Sequence, residues 1–214
     1  MKISRAKENI LKKIRQALSN PVPVPFPQSE GTDSIFAHSQ QDPEVEFAEN
    51  FTKLQGRFSF CVDEKELVQQ LQTLVTVRKW KKVFCCETDL KKRLLTNGFN
   101  KFSSEYLKFC EAAVTSCELL VARTGSIVMS SAQESGRTVS VYTPVHICIA
   151  YTSQLVYDIK DGLALLKEKY QNNFPSLVTF ATGPSRTADI EKTLVVGVHG
   201  PKEVFCFLVE TDAP

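Results

Sequence analysis

The residues best suited to chemistry lie near the carboxyl end of the chain, in two corners rich in glycine and proline. The first corner is Gly183-Pro184-Ser185-Arg186-Thr187, and the second is His199-Gly200-Pro201. Glycine tolerates positive φ and proline cannot donate to a sheet, so both sequences predict sharp turns. Between the corners, Ser185 or Thr187 can cap a short helix that ends near Val196-Gly197.

A helix that starts beside a turn points free backbone N–H groups at one spot, which suits a carboxylate or a phosphate. Arg186 adds a fork of donors for the same anion, and His199 is the candidate general acid or base because an imidazole titrates near pH ~6.5. The alternative is an ordinary strand–turn–helix connection, in which Arg186 pairs with Asp189. If the ligand is an anion, Asp189 is tied to Arg186 or to a substrate hydroxyl and is a second catalytic candidate. The ligand-binding candidates of these corners are Gly183, Ser185, Arg186, Thr187 and Gly200.

A third corner, Thr124-Gly125-Ser126, follows the apolar run from Leu119 to Ala122. Its glycine lets the backbone approach a ligand, and Thr124 and Ser126 supply hydroxyl groups. Ligands of open α/β sheets bind at the carboxyl ends of the strands, so we expect all three corners to meet in one pocket at that edge. A plain turn is the alternative interpretation of this corner.

The chain contains three histidines, His38, His146 and His199. His38 lies in a polar stretch and is assigned no function. His146 follows Pro144-Val145 and precedes an apolar run, which favours a histidine buried in the core over a ligand-binding one.

Several stretches resemble a known family. The run Gly-Pro-Ser-Arg-Thr-Ala-Asp-Ile-Glu from Gly183, followed by Gly-Val-His-Gly-Pro from Gly197, resembles the carboxyl-terminal signature of the lactate-utilisation (LUD) domain family, specifically that of the group called lactate utilisation protein C. The Ala-x-Thr-Gly-Ser run from Ala122 and the Ile-Leu-x-x-Ile-Arg-x-Ala-Leu run from Ile10 are also similar to elements of that family.

The resemblance implies an α/β fold like that of ribose-5-phosphate isomerase, glucosamine-6-phosphate deaminase and CoA transferases. It also implies a role beside two sister proteins, at least one of which carries iron–sulfur clusters, in oxidising L-lactate to pyruvate. One hypothesis is a subunit that binds a small anionic ligand through Arg186 and moves a proton with His199. The others are a non-catalytic assembly subunit and a free-standing enzyme acting on phosphosugars or CoA esters. Neither a Gly-x-Gly-x-x-Gly nor a Walker A motif is present, so the cofactor stays unknown.

The stretch from Ile3 to Leu18 has a helical stripe of apolar residues, with Ser4 as its expected N-cap. Its other face is basic. Docking on its own domain or a sister subunit is favoured over docking on a different partner, and a membrane is least favoured because the apolar face has neither Trp nor Phe. Alternating prolines then predict an extended arm that can reach a second copy, giving a homo-oligomer. We therefore predict a helix over residues 1–20, a proline-rich linker over 21–42 and a LUD-type α/β domain over 43–214.

Within that domain, strands and helices alternate, which predicts a mostly parallel sheet with flanking helices. The predicted helices are Val45–Leu54, Asp63–Val77, a basic helix from Thr88 or Asp89 to Asn97-Gly98, and Asp158–Tyr170. The predicted strands are Arg57–Val62, Lys82–Cys86, Leu119–Ala122, Ile127–Met129, Val139–Val141, Val145–Ala150, Leu177–Ala181 and Val204–Val209.

Lysine and arginine number 26 against 24 acidic residues, a net charge of +2, so no nucleic acid is expected as a partner. No apolar run approaches the ~20 residues of a membrane span, and the basic start lacks the apolar core of a signal peptide, which predicts a cytoplasmic protein. The seven cysteines contain no Cys-x-x-Cys spacing. They are expected to be reduced and buried, without a metal or an iron–sulfur cluster.

Overall fold

The computed structural model of the chain describes residues 5–19, 41–190 and 193–210. Its contacts form two compact units, Met1–Ala37 and His38–Pro214. In the first unit, helix α1 spans Arg5–Ser19, which confirms the predicted helix, and none of its residues is buried. The expected cap Ser4 and residues 20–40 lie outside the described residues, so the domain limits at residues 20 and 42 stay a prediction.

The second unit alternates helices and strands along most of its length. Its helices are α2 (Pro43–Lys53), α3 (Glu64–Val77), α4 (Thr88–Thr96), α5 (Val139–Tyr142) and α6 (Ile159–Tyr170). Its strands are β1 (Arg57–Cys61), β2 (Val83–Phe84), β3 (Ala112–Thr115), β4 (Leu119–Val121), β5 (Ser126–Ser130), β6 (Val145–Tyr151), β7 (Leu155–Val156), β8 (Val178–Ala181), β9 (Arg186–Ile190), β10 (Thr193–Val196) and β11 (Glu203–Val209).

Five parallel strands form the central sheet, in the order β1-β11-β6-β3-β2. Side chains of β6 alternate between its two faces, because successive residues of a strand point in opposite directions. Ile147 and Ile149 join the core shared with α3 and α4, whereas Cys148 and Ala150 join the core shared with α2 and a second sheet. This arrangement confirms the predicted α/β fold with a mostly parallel sheet.

The second sheet has the order β7-β4-β5-β8 and packs on the central one. Its strands β4, β5 and β8 pair antiparallel, and β7 pairs parallel to β4. Strands β9 and β10 form a separate antiparallel hairpin. The alternation of elements in the sequence did not reveal that the strands divide among two sheets and a hairpin.

At two of the predicted helices, one aspartate side chain sets the helix start. The Asp63 carboxylate accepts a hydrogen bond from the Glu66 N–H at 2.7 Å, and Asp158 forms a capping box with Asp161 at the start of α6. The cap of α4 is the exception. Its N-cap is Glu87, while Thr88 is already helical and donates its N–H to Glu134.

Two predicted elements are wrong. The helix expected between Ser185 and Val196 is the β9–β10 hairpin, where Thr187 pairs with Val195. Branched residues such as Thr187, Ile190 and Val195 favour extended backbone, and pairing supplies the hydrogen bonds that a short helix would have made. The strand expected at Val139–Val141 is instead the single helical turn α5, closed by Tyr142 N–H donating to Thr138.

Candidate functional site

The corners around Gly183 and Gly200 touch each other. The Ser185 N–H donates to the Pro201 carbonyl at 3.0 Å, and the Gly197 N–H donates to the Ser185 carbonyl at 2.9 Å. A Cβ atom placed on Gly200 would lie 2.8 Å from the Ser185 Cβ atom. The contact between the corners therefore requires glycine at position 200.

A cavity of about 340 Å³ opens beside this contact, and we call it the corner cavity. Its walls come from both sheets and from both corners. The lining residues are Met129, Ser140, Val141, His146, Thr179, Phe180, Ala181, Thr182, Gly183, Pro184, Ser185, His199, Gly200, Pro201 and Val204. Four of the candidates taken from the sequence, Gly183, Ser185, His199 and Gly200, thus share one space.

The corner cavity lies at the amino ends of the parallel strands β6 and β11, where His146 pairs in register with Val204. This position corrects the expectation of a pocket at the carboxyl edge of the sheet. The expectation assumed that each corner follows a strand of one sheet. His199-Gly200 instead precedes β11, and Gly183 follows β8 of the second sheet.

His146 forms part of the cavity wall and is only 1% exposed. Its Nε2 lies 2.8 Å from the Thr115 hydroxyl. Burial lowers the pKa of His146 to about 4, because an imidazolium loses its hydration there, so the ring is neutral at pH 7. The expectation of a core histidine is confirmed. The sequence did not predict that His146 lies beside the cavity. That position depends on β6 lying near β8 and β11, and a local sequence pattern does not show the order of strands.

His199 is exposed, and it separates the corner cavity from a neighbouring cavity of about 510 Å³. That second space is lined by Tyr142, Pro144 and Lys202 as well as by His199 and Gly200. Lys202 places a positive charge next to the corners. Sequence reasoning missed this lysine, although its position directly after His199-Gly200-Pro201 was a usable signal.

The structure shows a contact of Arg186 that the sequence did not predict, while the side chain of Asp189, its expected partner, lies outside the described residues. The Arg186 guanidinium donates to the carbonyl of Leu54, the residue that ends α2. Thr187 and Asp189 lie on β9. No helix begins at this corner, so the helix dipole explains neither an anion site nor a carboxylate at position 189.

The Thr124-Gly125-Ser126 corner does not line the corner cavity. The hydroxyl groups of Thr124 and Ser126 are hydrogen-bonded to each other at 2.7 Å. The Asn50 amide on α2 donates to the carbonyls of Ala122 and Arg123, both at 3.1 Å. A Cβ atom on Gly125 would lie 2.4 Å from the Phe51 nitrogen. The corner therefore serves as a packing surface for the backbone of α2.

Comparison with known proteins identifies the family of this chain. The family model of the LUD domain matches residues 100–209, just over half of the chain. The chain belongs to the LUD domain family. All the candidate residues discussed above lie inside the matched range, including both corners of the cavity.

Among proteins similar to this LUD domain chain is "Lactate utilization protein C" of Bacillus licheniformis, 38% identical over 99 residues that make up 45% of this chain and 41% of that protein. The protein of the same name from Bacillus subtilis is 36% identical over 110 residues, 49% of this chain and 46% of that protein. The chain thus aligns with about half the length of these relatives. The fold is also similar to the crystal structure of a DUF162 family protein from Deinococcus radiodurans, with a TM-score of 0.58 and 18% identity over 81% of this chain and 99% of that one.

Three further observations concern metal ligands, membrane-spanning helices and cysteines. No group of His, Cys, Asp and Glu within the described residues is arranged to hold a metal ion. Helices in that part of the chain are also too short or too polar to cross a membrane. Cys86 is half-buried and the other cysteines are buried, and burial raises the pKa of Cys61 to about 12.

Proposed function

We propose that this chain is a component of a lactate-utilisation system and binds a small anionic ligand, a 2-hydroxy or 2-oxo carboxylate, in the corner cavity. The observation that carries the proposal is the meeting of Gly183, Ser185, His199 and Gly200 in one cavity of about 340 Å³. Its volume is at the lower end of the range for small-molecule sites. The name of the relatives from Bacillus licheniformis and Bacillus subtilis supports lactate as the substrate class.

Positive charge and free donors favour an anion at this place. Lys202 lines the adjoining cavity, and the N–H groups of Gly183 and Gly200 have no backbone acceptor among the described residues. A carboxylate there would replace water at these donors. Charge-assisted hydrogen bonds of this kind contribute about 1.5–3 kcal/mol each.

His199 is the residue we assign to proton transfer. Oxidation of L-lactate to pyruvate releases two protons and two electrons, one proton from the hydroxyl group and the other from the carbon that bears it. His199, exposed beside the corner cavity, is placed to accept the hydroxyl proton. We assign the two electrons, together with the proton from the carbon, to a sister protein with iron–sulfur clusters, since the cysteines of this chain lack the spacing of cluster ligands.

The test is calorimetric titration of the purified chain with L-lactate, pyruvate, a sugar phosphate and coenzyme A. We expect L-lactate or pyruvate to bind, and Lys202→Ala to weaken that binding by about 0.2–1 kcal/mol, because Lys202 is an exposed charge that lines the adjoining cavity and not the corner cavity itself. Lys160→Ala is the control, because Lys160 is an exposed lysine on α6. His199→Gln should spare binding and lower turnover about 10²–10⁴-fold in a system reconstituted with its partners.

Other outcomes would favour the alternatives. Binding of the sugar phosphate or coenzyme A alone would support a free-standing enzyme of the same fold. Binding of none of the four, together with stable association with the sister proteins, would support an assembly subunit.

A further inference from the structure

Helix α1 has an exposed apolar side. Ile10, Ile14 and Leu18 are 58%, 48% and 74% exposed. The rest of the helix is strongly basic, and Glu8 is the one acidic residue in Arg5–Ser19. A 15-residue helix is marginally stable in water by itself, so this stripe requires a surface to pack on.

The second compact unit carries a groove of matching character, which we call the acidic groove. It has a volume of about 520 Å³ and lies between α2 and β1. Its apolar floor includes Val45 and Phe60, which are 47% and 39% exposed. The remaining lining residues are Asp42, Glu44, Ala48, Glu49, Phe58, Thr152 and Glu210, none of them a lysine or arginine.

The acidic groove runs along an open edge of the central sheet. Strand β1 is the outermost strand and pairs with β11 on one side, while no strand in the described part of the chain pairs with its other side. Exposed sheet edges flanked by apolar side chains are normally covered, because they invite association. The five residues of β1 extend over about 17 Å and the 15 residues of α1 over about 22 Å, so the two match in length.

We infer that the acidic groove receives helix α1 of a second copy of this chain. The apolar stripe packs on Val45 and Phe60, and the basic flanks face the carboxylates of Asp42, Glu44 and Glu210, while Glu49 forms an ion pair with Lys53 at 3.7 Å. The contact is exchanged between two copies, which gives a closed two-fold dimer. The residues between α1 and α2 can span up to about 70 Å when extended, enough to cross to a neighbour. The inference does not rest on the proposed function.

The first test measures the dimer dissociation constant of the full chain by sedimentation velocity over a wide range of concentration. Ile14→Asp and Val45→Asp should each raise that constant at least about 100-fold. A symmetric dimer contains two α1–groove contacts, and each substitution places a carboxylate in both of them. Leu165→Asp is the matched control. Leu165 lies on α6 and is 48% exposed, as Val45 nearly is, so its substitution should leave the constant unchanged.

The second test mixes the Ile14→Asp and Val45→Asp proteins. The mixed pair retains one intact contact, the normal α1 of one copy in the normal groove of the other, so the mixture should dimerise more tightly than either variant alone. Added salt should weaken the unmodified dimer because the rim contacts are ionic. A chain that stays monomeric at every concentration overturns the inference. So does a dimer that both variants leave intact, or a mixture that associates no better than its parts.

Discussion

The corner at Thr124–Ser126 and the corner at Gly183–Ser185 both combine a glycine of positive φ with neighbouring hydroxyl side chains. Gly125 has φ +60° and Gly183 has φ +97°. Both glycines also face the end of α2, Gly125 at the Phe51 nitrogen and Gly183 at the Leu54 carbonyl oxygen. The two corners differ in what lies on their remaining sides.

The first corner is closed around Gly125 and Ser126, which are buried, and Thr124 is half-buried. Ser126 is 2% exposed, and its hydroxyl is bonded to Thr124. The second corner is half-buried and opens on the corner cavity together with His199 and Gly200. Similar residue types thus serve packing in one place and line a cavity in the other. A glycine corner is thus a candidate site only where the residues that face it leave room for a ligand.

Gly125→Ala should have the largest effect, a loss of about 2–5 kcal/mol of unfolding free energy. A left-handed backbone costs an alanine about 1–2 kcal/mol, and overpacking against Phe51 adds about 1–3 kcal/mol. Gly136→Ala is the control, because Gly136 has φ +58° but its nearest neighbour would be 4.0 Å from the new Cβ atom. Urea denaturation measures both. If both variants lose the same unfolding free energy, the glycine at position 125 is required for its backbone angle and not for the close packing of α2.

The second prediction concerns the wall of the corner cavity. Burial lowers the pKa of His146 from 6.5 to about 4, so between these pH values the unfolded chain binds a proton that the folded protein does not. The contribution to stability is complete above pH ~6.5 and is lost as the pH falls towards ~4. At about 1.4 kcal/mol per pKa unit, the loss reaches about 3 kcal/mol.

The measurement is the unfolding free energy of the unmodified protein minus that of His146→Asn, followed from pH 7 to pH 4.5. This difference should shrink as the pH falls, because the variant has no imidazole to protonate. A difference that does not depend on pH would show that water reaches His146 through the cavity. The second corner would then be more open than the contrast with the first one implies.

Arg186 joins the second corner to the end of α2, and its substitution should have the smallest effect. Arg186→Ala removes the hydrogen bond to the Leu54 carbonyl, which should cost about 0.5–1.5 kcal/mol of unfolding free energy. Arg186→Lys should recover part of the loss, since an ammonium group can also donate to a carbonyl. If denaturation shows no change in stability but calorimetry shows weaker ligand binding, Arg186 belongs to the ligand, as its sequence pattern predicted.

The sequence by itself determined the elements whose cause is local. The Asp63 and Asp158 caps lie within three residues of the groups they bind, so the starts of α3 and α6 could be predicted. The apolar runs at β6 and β11 likewise predicted strands, and the alternation of strands and helices predicted an α/β fold. The resemblance of the Gly183 and His199 corners to one family predicted that they belong together.

Only the tertiary structure decided what each corner does. The partner of Arg186 is Leu54, 132 residues away, and the atoms that require a glycine at position 125 belong to Asn50 and Phe51 on α2. The β9–β10 hairpin replaced a helix because strand pairing outweighs the weak local preference of a short segment. The cavity lies at the amino ends of β6 and β11 because strand order, not the order of residues, sets which corners meet. Contacts between distant segments leave no local pattern, and for that reason they could not be predicted from the chain alone.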